Sequence, residues 1–289
     1  RRKPPGKLLK SAHAVDRECR VMTALHDTDV PVPETFGYCD DETVIGTSFF
    51  IMDHVIGNIY WELLLPGCDP NQRREIYLSM NDTIAKLHNV DFDKVNLADY
   101  GKHENYMDRQ IHRWTKQYKD SETQVIPEIN ELIEWLPKNI PSDQETTIVH
   151  GDFRLDNMIF DPITHEVKAI LDWELSTLGN PIADFTYHMM SWRLPAGAKG
   201  LGMMGSDLKS LNIPSESEYA ELYYKKTGRE KIDNWDFYMA YNIFRLAGIA
   251  QGIVGRVRDG TASSSEAKNY EAFVPILGKL GWSIVEGIK

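Results

Sequence analysis

The sequence is short of cysteine, and the few cysteines it has are isolated. Cys19, Cys39 and Cys68 are odd in number and show none of the paired spacings that disulfide frameworks or zinc sites require. This pattern argues against a disulfide-stapled secreted domain. We therefore expect a cytoplasmic protein whose thiols stay reduced.

Positive charge and long apolar runs are also scarce. Lys and Arg total 32 against 43 Asp and Glu, which gives a formal net charge of -11. Such a chain repels a phosphate backbone unless its basic residues cluster, so we expect no nucleic-acid partner. No apolar run reaches the roughly 20 residues needed to cross a bilayer, and no apolar signal segment follows the basic start, so we expect no membrane partner.

What the chain does contain is typical of a soluble globular protein. It has 289 residues, of which 42% are hydrophobic and 26% charged, enough to bury one large core or two smaller ones. The first residues begin at Arg1 rather than at Met and look like the end of a β-strand. We therefore expect further sequence N-terminal to Arg1.

A helix is predicted from Ser11 to Leu25, with Ser11 as its N-cap. Val15, Met22 and Leu25 recur at helical spacing. Glu18 falls on the same stripe, and a carboxylate on the inward face of a helix is costly unless a cation meets it. Glu18 is therefore either paired with a Lys or Arg, or it is a partly exposed surface glutamate.

The pattern then changes to strands and after that to helices. Strands are predicted from Thr35 to Tyr38 and from Thr47 to Val55. A connector follows and ends at Gly57. Helices are predicted at residues 71–88, 103–119, 126–139, 235–257 and from 265 to the end. This order predicts an α+β fold with a small strand-rich lobe over residues 1–57 and a larger helical lobe over residues 58–289.

A second strand-rich stretch carries the most informative residues. Strands are predicted at residues 147–149, 157–160 and 167–172. An Asp161-Pro162 turn makes the last two a hairpin, which brings Asp152, Asn157 and Asp172 to one end. Three such oxygen-bearing side chains suit Mg²⁺, which leaves its other positions to water or substrate phosphates.

The division of labour in phosphoryl transfer assigns roles to these residues. The reaction needs charge neutralisation and a positioned nucleophile more than it needs covalent help. Asp152 is predicted to accept the proton of the substrate hydroxyl, while Asn157 and Asp172 hold metal ions that bridge the phosphates. His150 is predicted to fix the loop. A metal-dependent hydrolase that uses His150, Asp152 and Asp172 is an alternative, but it gives Asn157 and Glu18 no role.

Three motifs resemble those of the phosphotransferase family that includes aminoglycoside phosphotransferases and choline kinases. They are His150-Gly151-Asp152 with Asn157, then Ile170-Leu171-Asp172, then Gly179-Asn180-Pro181-Ile182-Ala183-Asp184, in the family's order and close to its spacing. The resemblance implies a bilobal, protein-kinase-like α+β fold. It also implies a small-molecule kinase that uses ATP and Mg²⁺ to phosphorylate a hydroxyl group.

The resemblance also implies roles for single residues in the catalytic loop. Asp152 looks like the catalytic base, and Asn157 and Asp172 look like the magnesium ligands. Asp184 looks like the buried aspartate that steadies the loop, with His150 in support.

The nucleotide-binding residues are implied in the same way. Glu18 resembles the helix glutamate that pairs with a phosphate-binding lysine. The candidate cation here is Arg1, with Arg2 and Lys3 as rivals. An arginine supplies the charge, but its planar fork is not interchangeable with a lysine point charge.

The connector after the second predicted strand resembles the family's hinge. Backbone groups of Asp53 and Val55 are expected to bind the adenine edge. Two features depart from the pattern. Trp173-Glu174 follows the metal aspartate where protein kinases have Phe-Gly, and the phosphate-covering loop lies outside this sequence.

The runs RRKPPGKLLKSAHAVDRE and FRLAGIAQG look like the branch of the family found beside or fused to acyl-CoA dehydrogenases. This likeness implies a hydroxyacyl-CoA acceptor and association with an acyl-CoA dehydrogenase, while an aminoglycoside or choline acceptor stays open. A nucleotide-binding module without turnover is a further alternative. Retention of Asp152, Asn157 and Asp172 together argues against it.

Several residues near the motifs are predicted to pack rather than react. Tyr187, Met189, Met190 and Trp192 follow Asp184, and lining a substrate pocket is the alternative to packing. His88, near the end of a helix, is predicted to be a capping or packing histidine.

Overall fold

The structure is a computed structural model that describes residues 1–3, 14–142, 145–197, 200–231, 234–261 and 270–288. The chain forms two compact units, each built from two separate stretches of sequence. The first unit is Arg1–Lys102 with Thr146–Lys231, and the second is His103–Glu145 with Ile232–Lys289. The predicted lobe boundary at residue 57 remains a prediction.

The first unit combines short strands with helices of very different length. Its helices are α1 (Val15–Leu25), α2 (Glu42–Ile45), α3 (Pro70–His88), α6 (Pro181–Met189), α7 (Leu208–Leu211) and α8 (Glu216–Thr227). Its strands are β1 (Thr35–Cys39), β2 (Phe49–Met52), β3 (Thr147–Val149), β4 (Met158–Phe160), β5 (Val167–Ile170) and β6 (Thr177–Gly179). Single 3₁₀ turns cover Leu155–Asn157, Trp173–Leu175 and Met190–Trp192.

The strands pair in three antiparallel sheets of two strands each: β1 with β2, β3 with β6, and β4 with β5. The pairing of β4 with β5 confirms the predicted hairpin. Residues 1–3 extend the first sheet, because Arg2 forms an antiparallel bridge to Phe49. This bridge agrees with the interpretation of the first residues as the end of a strand.

One strand was not predicted, and two predicted helix starts lie outside the described residues. β6 was not predicted, because Thr177–Gly179 is too short to show an alternating pattern and is a strand only through its pairing with β3. Ser11, the predicted cap of α1, lies outside the described residues, as does Ser265, where the last helix was predicted to begin.

Side-chain caps explain where the helices next to the site begin. Asp69 accepts hydrogen bonds from the first turn of α3, and its own N–H group donates to the Gln72 side-chain oxygen, which completes a capping box. Asn180 accepts bonds from Ile182 and Ala183 at the start of α6. α6 therefore starts at a fixed point, and this fixes the position of the residues in its first turn.

Aromatic packing holds α6 in the core of the first unit. The rings of Phe185 and Tyr223 stack with centroids 3.9 Å apart, and the Tyr219 ring lies nearly parallel to Phe185 with its centroid 6.0 Å away. All three side chains are fully buried. The turn of α6 that carries Asp184 is thus anchored against α8.

The second unit is helical in its described residues. Its helices are α4 (Tyr106–Ser121), α5 (Pro127–Trp135), α9 (Trp235–Arg258) and α10 (Phe273–Ile288), with a 3₁₀ turn at Leu136–Lys138. α9 packs closely on α4 through small residues, among them Gly248 and Gly255. A Cβ atom on Gly255 would lie 2.8 Å from that of Ser121. Among the described residues, no helix combines the length and the apolarity that crossing a membrane requires.

Candidate active site

The loop between β3 and β4 is held by one buried carboxylate. The two oxygens of Asp184 accept hydrogen bonds from the backbone N–H groups of His150 and Gly151, each at 2.8 Å, and from His88 Nε2 at 3.2 Å. Burial alone would raise the pKa of Asp184, but the His88 and His150 contacts outweigh it and hold the pKa below its usual range. His88, predicted to pack, thus takes part in fixing the loop.

His150 is fully buried and has both ring nitrogens engaged. Its Nε2 donates to the Leu171 carbonyl oxygen at 2.9 Å, and its Nδ1 accepts from the Asp152 N–H group at 3.2 Å. This pattern defines the neutral tautomer with the proton on Nε2. The ring therefore ties the loop to the end of β5 and leaves no nitrogen free to transfer a proton or bind a metal.

Gly151 allows the loop to turn sharply beneath Asp152. Its φ of +82° is in the left-handed region, and a Cβ atom would lie 2.7 Å from the Leu175 carbonyl oxygen. No larger residue fits this position without a shift of the backbone.

The carboxylate of Asp152 is oriented by two neighbours. Tyr187 Oη donates to Oδ1 at 2.9 Å, and Asn157 Nδ2 donates to Oδ2 at 3.1 Å and to the Asp152 carbonyl at 2.9 Å. Asn157 Oδ1 therefore points away from these contacts, with no hydrogen bond to the described residues. The side chain of Asp152 is 23% exposed, so a substrate can reach it.

The β4–β5 hairpin brings Asp172 next to Asn157. The Leu171 N–H group donates to the Asn157 carbonyl oxygen at 2.8 Å, one residue before Asp172. Asp172 itself has a φ of +63°, an uncommon value for a residue with a side chain, and its side chain is 38% exposed. The predicted convergence of Asp152, Asn157 and Asp172 at one end of the hairpin is thus present.

The donor set fits a magnesium ion better than a metal held by protein alone. The described residues contain no group of three His, Cys, Asp or Glu side chains close enough to bind a metal. The Asn157 amide oxygen and the Asp172 carboxylate would supply part of its coordination shell. Mg²⁺ is usually held this way in kinases, with substrate phosphates and water completing the shell.

Arg1 forms the predicted ion pair with Glu18 of α1. Arg1 Nε lies 3.4 Å from Glu18 Oε2, and Arg1 Nη2 donates to Asp172 Oδ1 at 2.8 Å. Glu18 is 2% exposed, and its Oε1 has no hydrogen bond within the described residues. Burial raises the pKa of Glu18, Arg1 opposes this rise, and the charges of Asp172 and Glu174 add to it. Arg1 is thus the candidate cation whose side chain contacts Glu18.

The connector after β2 leaves two backbone groups unbonded. The Asp53 N–H group donates to the Glu34 carbonyl at 2.9 Å. The Asp53 carbonyl and the Val55 N–H group make no hydrogen bond to the described part of the chain. Farther on, Asn58 and Phe160 exchange two bonds of 2.8 Å and tie the connector to β4.

A cavity of about 240 Å³ lies next to the catalytic loop. Its lining combines residues of the loop, of α6 and its 3₁₀ extension, and of two other segments: Trp61, Leu63, Arg154, Leu155, Asp156, Tyr187, His188, Met190, Ser191, Gly200 and Leu201. Arg154 donates both a short hydrogen bond and one of 3.1 Å to the Asp156 carboxylate. Burial opposes the charge on Arg154, but Asp156 and Asp152 outweigh burial and raise its pKa.

Tyr187 and Arg154 line the candidate site, and sequence reasoning did not single them out for it. Packing was the first choice for Tyr187, yet its hydroxyl contacts Asp152 and its ring lines the cavity. The spacing held a usable signal, because residues three apart on a helix share a face and Tyr187 lies three after Asp184. Arg154, between Asp152 and Asn157 in sequence, could also have been singled out.

Comparison with known proteins gives the family. The sequence profile of the phosphotransferase enzyme family matches residues 1–221. The chain belongs to this family.

Two curated relatives carry acyl-CoA dehydrogenase names. The chain is 45% identical to mouse acyl-CoA dehydrogenase family member 10 over 283 residues, which are 98% of this chain and 26% of that protein. It is 41% identical to human acyl-CoA dehydrogenase family member 11, with 97% of this chain and 36% of that protein covered. The chain thus spans about a quarter to a third of these relatives.

Solved structures confirm the kinase-like α+β fold. A candidate aminoglycoside phosphotransferase from Ralstonia eutropha superposes with a TM-score of 0.92 at 49% identity, covering 95% of this chain and 84% of that one. An ethanolamine kinase from Plasmodium vivax shares the fold, with a TM-score of 0.59 at 11% identity over 96% of this chain and 73% of that one. The family, predicted from the motifs, is confirmed, and the names of the relatives agree with the acyl-CoA dehydrogenase branch indicated by the two sequence runs.

Proposed function

We propose that this phosphotransferase is a kinase that transfers the γ-phosphate of ATP, with Mg²⁺, to a hydroxyl of a small molecule. The observation that carries the proposal is the convergence of Asp152, Asn157 and Asp172 at one end of the β4–β5 hairpin. Solved family members in complex with ADP or GDP support nucleotide binding in this fold.

Asp152 is the proposed general base. Its carboxylate is held by Tyr187 and Asn157 and is still partly exposed, as a group that accepts a proton from a substrate hydroxyl must be. Proton transfer to Asp152 frees the substrate oxygen to attack the γ-phosphorus as the bond to the departing ADP breaks.

Asn157 Oδ1 and the Asp172 carboxylate are the proposed magnesium ligands. Bound there, the metal would neutralise charge on the phosphates and hold them in line with the acceptor. Arg1, paired with Glu18, is the proposed phosphate-binding cation, since it already lies 2.8 Å from Asp172. The free carbonyl of Asp53 and the free N–H group of Val55 are the proposed partners of the adenine edge.

The cavity favours an acceptor with an apolar part over a polycation. Trp61, Leu63, Met190 and Leu201 supply its apolar walls. Aminoglycosides carry several ammonium groups that call for unpaired carboxylates, whereas Asp156 here is paired with Arg154. Together with the acyl-CoA dehydrogenase names of the relatives, this supports a hydroxyacyl-CoA acceptor and association with an acyl-CoA dehydrogenase.

The alternatives fit less well. A hydrolase with His150 as a metal ligand conflicts with the two hydrogen bonds that occupy the ring.

The proposed location is cytoplasmic, in keeping with three cysteines that are all free thiols.

The test is an acceptor screen read by product mass. Hydroxyacyl-CoA thioesters, aminoglycosides and choline are each incubated with ATP and Mg²⁺, and a mass gain of one phosphoryl group is expected for the thioesters. Asp152→Asn should abolish transfer while keeping nucleotide affinity. Asp161→Asn, the same change at the opposite end of the hairpin, is the matched control and should keep activity. Tight nucleotide binding without any phosphorylated product would favour a regulatory module instead.

A further inference from the structure

Arg17, the neighbour of Glu18 on α1, joins three separate segments of the first unit. Its guanidinium donates to the carbonyl oxygen of Tyr100 at 2.8 Å and to that of Ser176 at 3.3 Å. It also lies over the Tyr100 ring, 4.2 Å from the centroid. One side chain thus connects α1 to the end of the segment after α3 and to the start of β6.

Tyr100 completes the same arrangement from the other side. Its buried hydroxyl lies 2.6 Å from Ser176 Oγ and 3.2 Å from the Arg17 carbonyl oxygen. Ser176 Oγ donates in turn to the Trp173 carbonyl at 2.6 Å, so it accepts from Tyr100. Ser176 is therefore anchored both to Tyr100 and to the turn that follows Asp172.

These contacts matter for the candidate site because the two elements that they join, α1 and the turn at Trp173, carry or adjoin site residues. α1 supplies Glu18, and the turn that begins at Trp173 directly follows Asp172. Arg1 bridges the two carboxylates, at 3.4 Å from one and 2.8 Å from the other. The distance between α1 and the Asp172 turn therefore decides whether Arg1 can contact both groups at once. Glu18 is buried and would lose its only ion-pair partner among the described residues if α1 moved away.

We propose that Arg17, Tyr100 and Ser176 form a clamp that sets the position of α1, with Arg17 as a positioning residue for phosphoryl transfer. The inference rests on the proposed function for its activity test. The guanidinium satisfies fixed backbone carbonyls and stacks on a buried ring. Its planar fork therefore fixes geometry in a way that a flexible surface charge does not.

The experiment compares two arginines on the same helix. Arg17→Met keeps the aliphatic stem but removes the clamp, and kcat/KM for ATP is expected to fall about 10- to 100-fold, the range expected for a misplaced binding group. Arg20→Met is the matched control, because Arg20 pairs with Asp99 at the surface and its contact with the clamp, among the described residues, is limited to a distant position over the Tyr100 ring, 5.9 Å from the centroid against 4.2 Å for Arg17. It should stay within about twofold of the wild type, in keeping with the small effect of exposed pairs.

Epistasis with Glu18 separates positioning from a general loss of structure. If Arg17 acts through Glu18, adding Arg17→Met to Glu18→Gln should cause little further loss of kcat/KM. Fully additive losses, or an Arg17→Met enzyme as active as the Arg20→Met control, would overturn the clamp. Tyr100→Phe, which keeps the ring, should give a smaller loss than Arg17→Met.

Hydrogen exchange of the α1 amides tests the clamp without turnover. Faster exchange of the α1 amides is expected in Arg17→Met and not in Arg20→Met. The two variants are expected to have the same melting temperature, so the difference in exchange is local to α1. Equal exchange in the two variants would contradict the clamp. A wild-type enzyme that phosphorylates nothing would refute the proposed function, while this measurement would still decide the clamp.

Discussion

Replacing Asp184 by Asn should destabilise the first unit and distort the catalytic loop. The carboxylate is 2% exposed and accepts three hydrogen bonds, two of them from adjacent loop N–H groups at 2.8 Å. Asparagine keeps one acceptor oxygen and turns an NH₂ group toward a donor that then has no partner. Loss of a buried, charged acceptor costs about 3 kcal/mol. That corresponds to a fall in melting temperature of roughly 6 to 12 °C.

The measurement is urea denaturation of wild type and Asp184→Asn over a range of pH. The pKa of Asp184 is lower in the folded protein than its ordinary value of 3.8, so its stabilisation is fully present above that value and is lost as pH falls through the folded pKa. The difference in free energy of unfolding between wild type and Asp184→Asn should therefore be constant from neutral pH down to about 4 and become smaller below it.

Asp207→Asn serves as the control, because Asp207 caps α7 at the exposed surface through the Ser210 N–H group and hydroxyl. It should change the denaturation midpoint far less than Asp184→Asn does. An Asp184→Asn protein within about 1 kcal/mol of wild type at pH 7 would refute the view that this carboxylate holds the loop, given its expected cost.

Three further predictions concern neighbouring residues. Burial lowers the pKa of His188 to about 3, so the folded protein binds this proton at a much lower pH than the unfolded chain does. The free energy of unfolding should therefore fall as pH drops from 6.5 toward 3, and His188→Gln should reduce this pH dependence in urea titrations. Gly151→Ala places a Cβ atom against the Leu175 carbonyl while the backbone stays in the left-handed region. It should lower the free energy of unfolding by about 1 to 2 kcal/mol, measured by the same titration. Tyr187→Phe removes one hydrogen bond to Asp152 and should lower kcat about tenfold in a steady-state assay, with nucleotide affinity unchanged.

Local sequence patterns predicted the hairpin, the long helices and the residues at the hairpin's end. Period-two and period-3.6 patterns and an Asp-Pro turn are properties of short stretches of chain, so they can be read without knowing the partners. The proximity of Asp152, Asn157 and Asp172 could be predicted from the sequence, because the start of the first strand of a hairpin lies beside the end of the second. Pairing of Glu18 with a cation was one of two predictions that followed from its position on the apolar face of the first helix.

The motifs determined that this chain is a kinase-like phosphotransferase, whereas its tertiary structure decided which distant groups meet. Tyr187 reaches Asp152 across 35 positions, and Arg17 reaches Ser176 across 159. β6 is a strand only because β3 lies beside it. Hydrophobic periodicity fixes which face of an element is buried, but the neighbour on that face is set by the packing of the whole unit. Contacts between residues far apart in the chain therefore could not be read from the sequence.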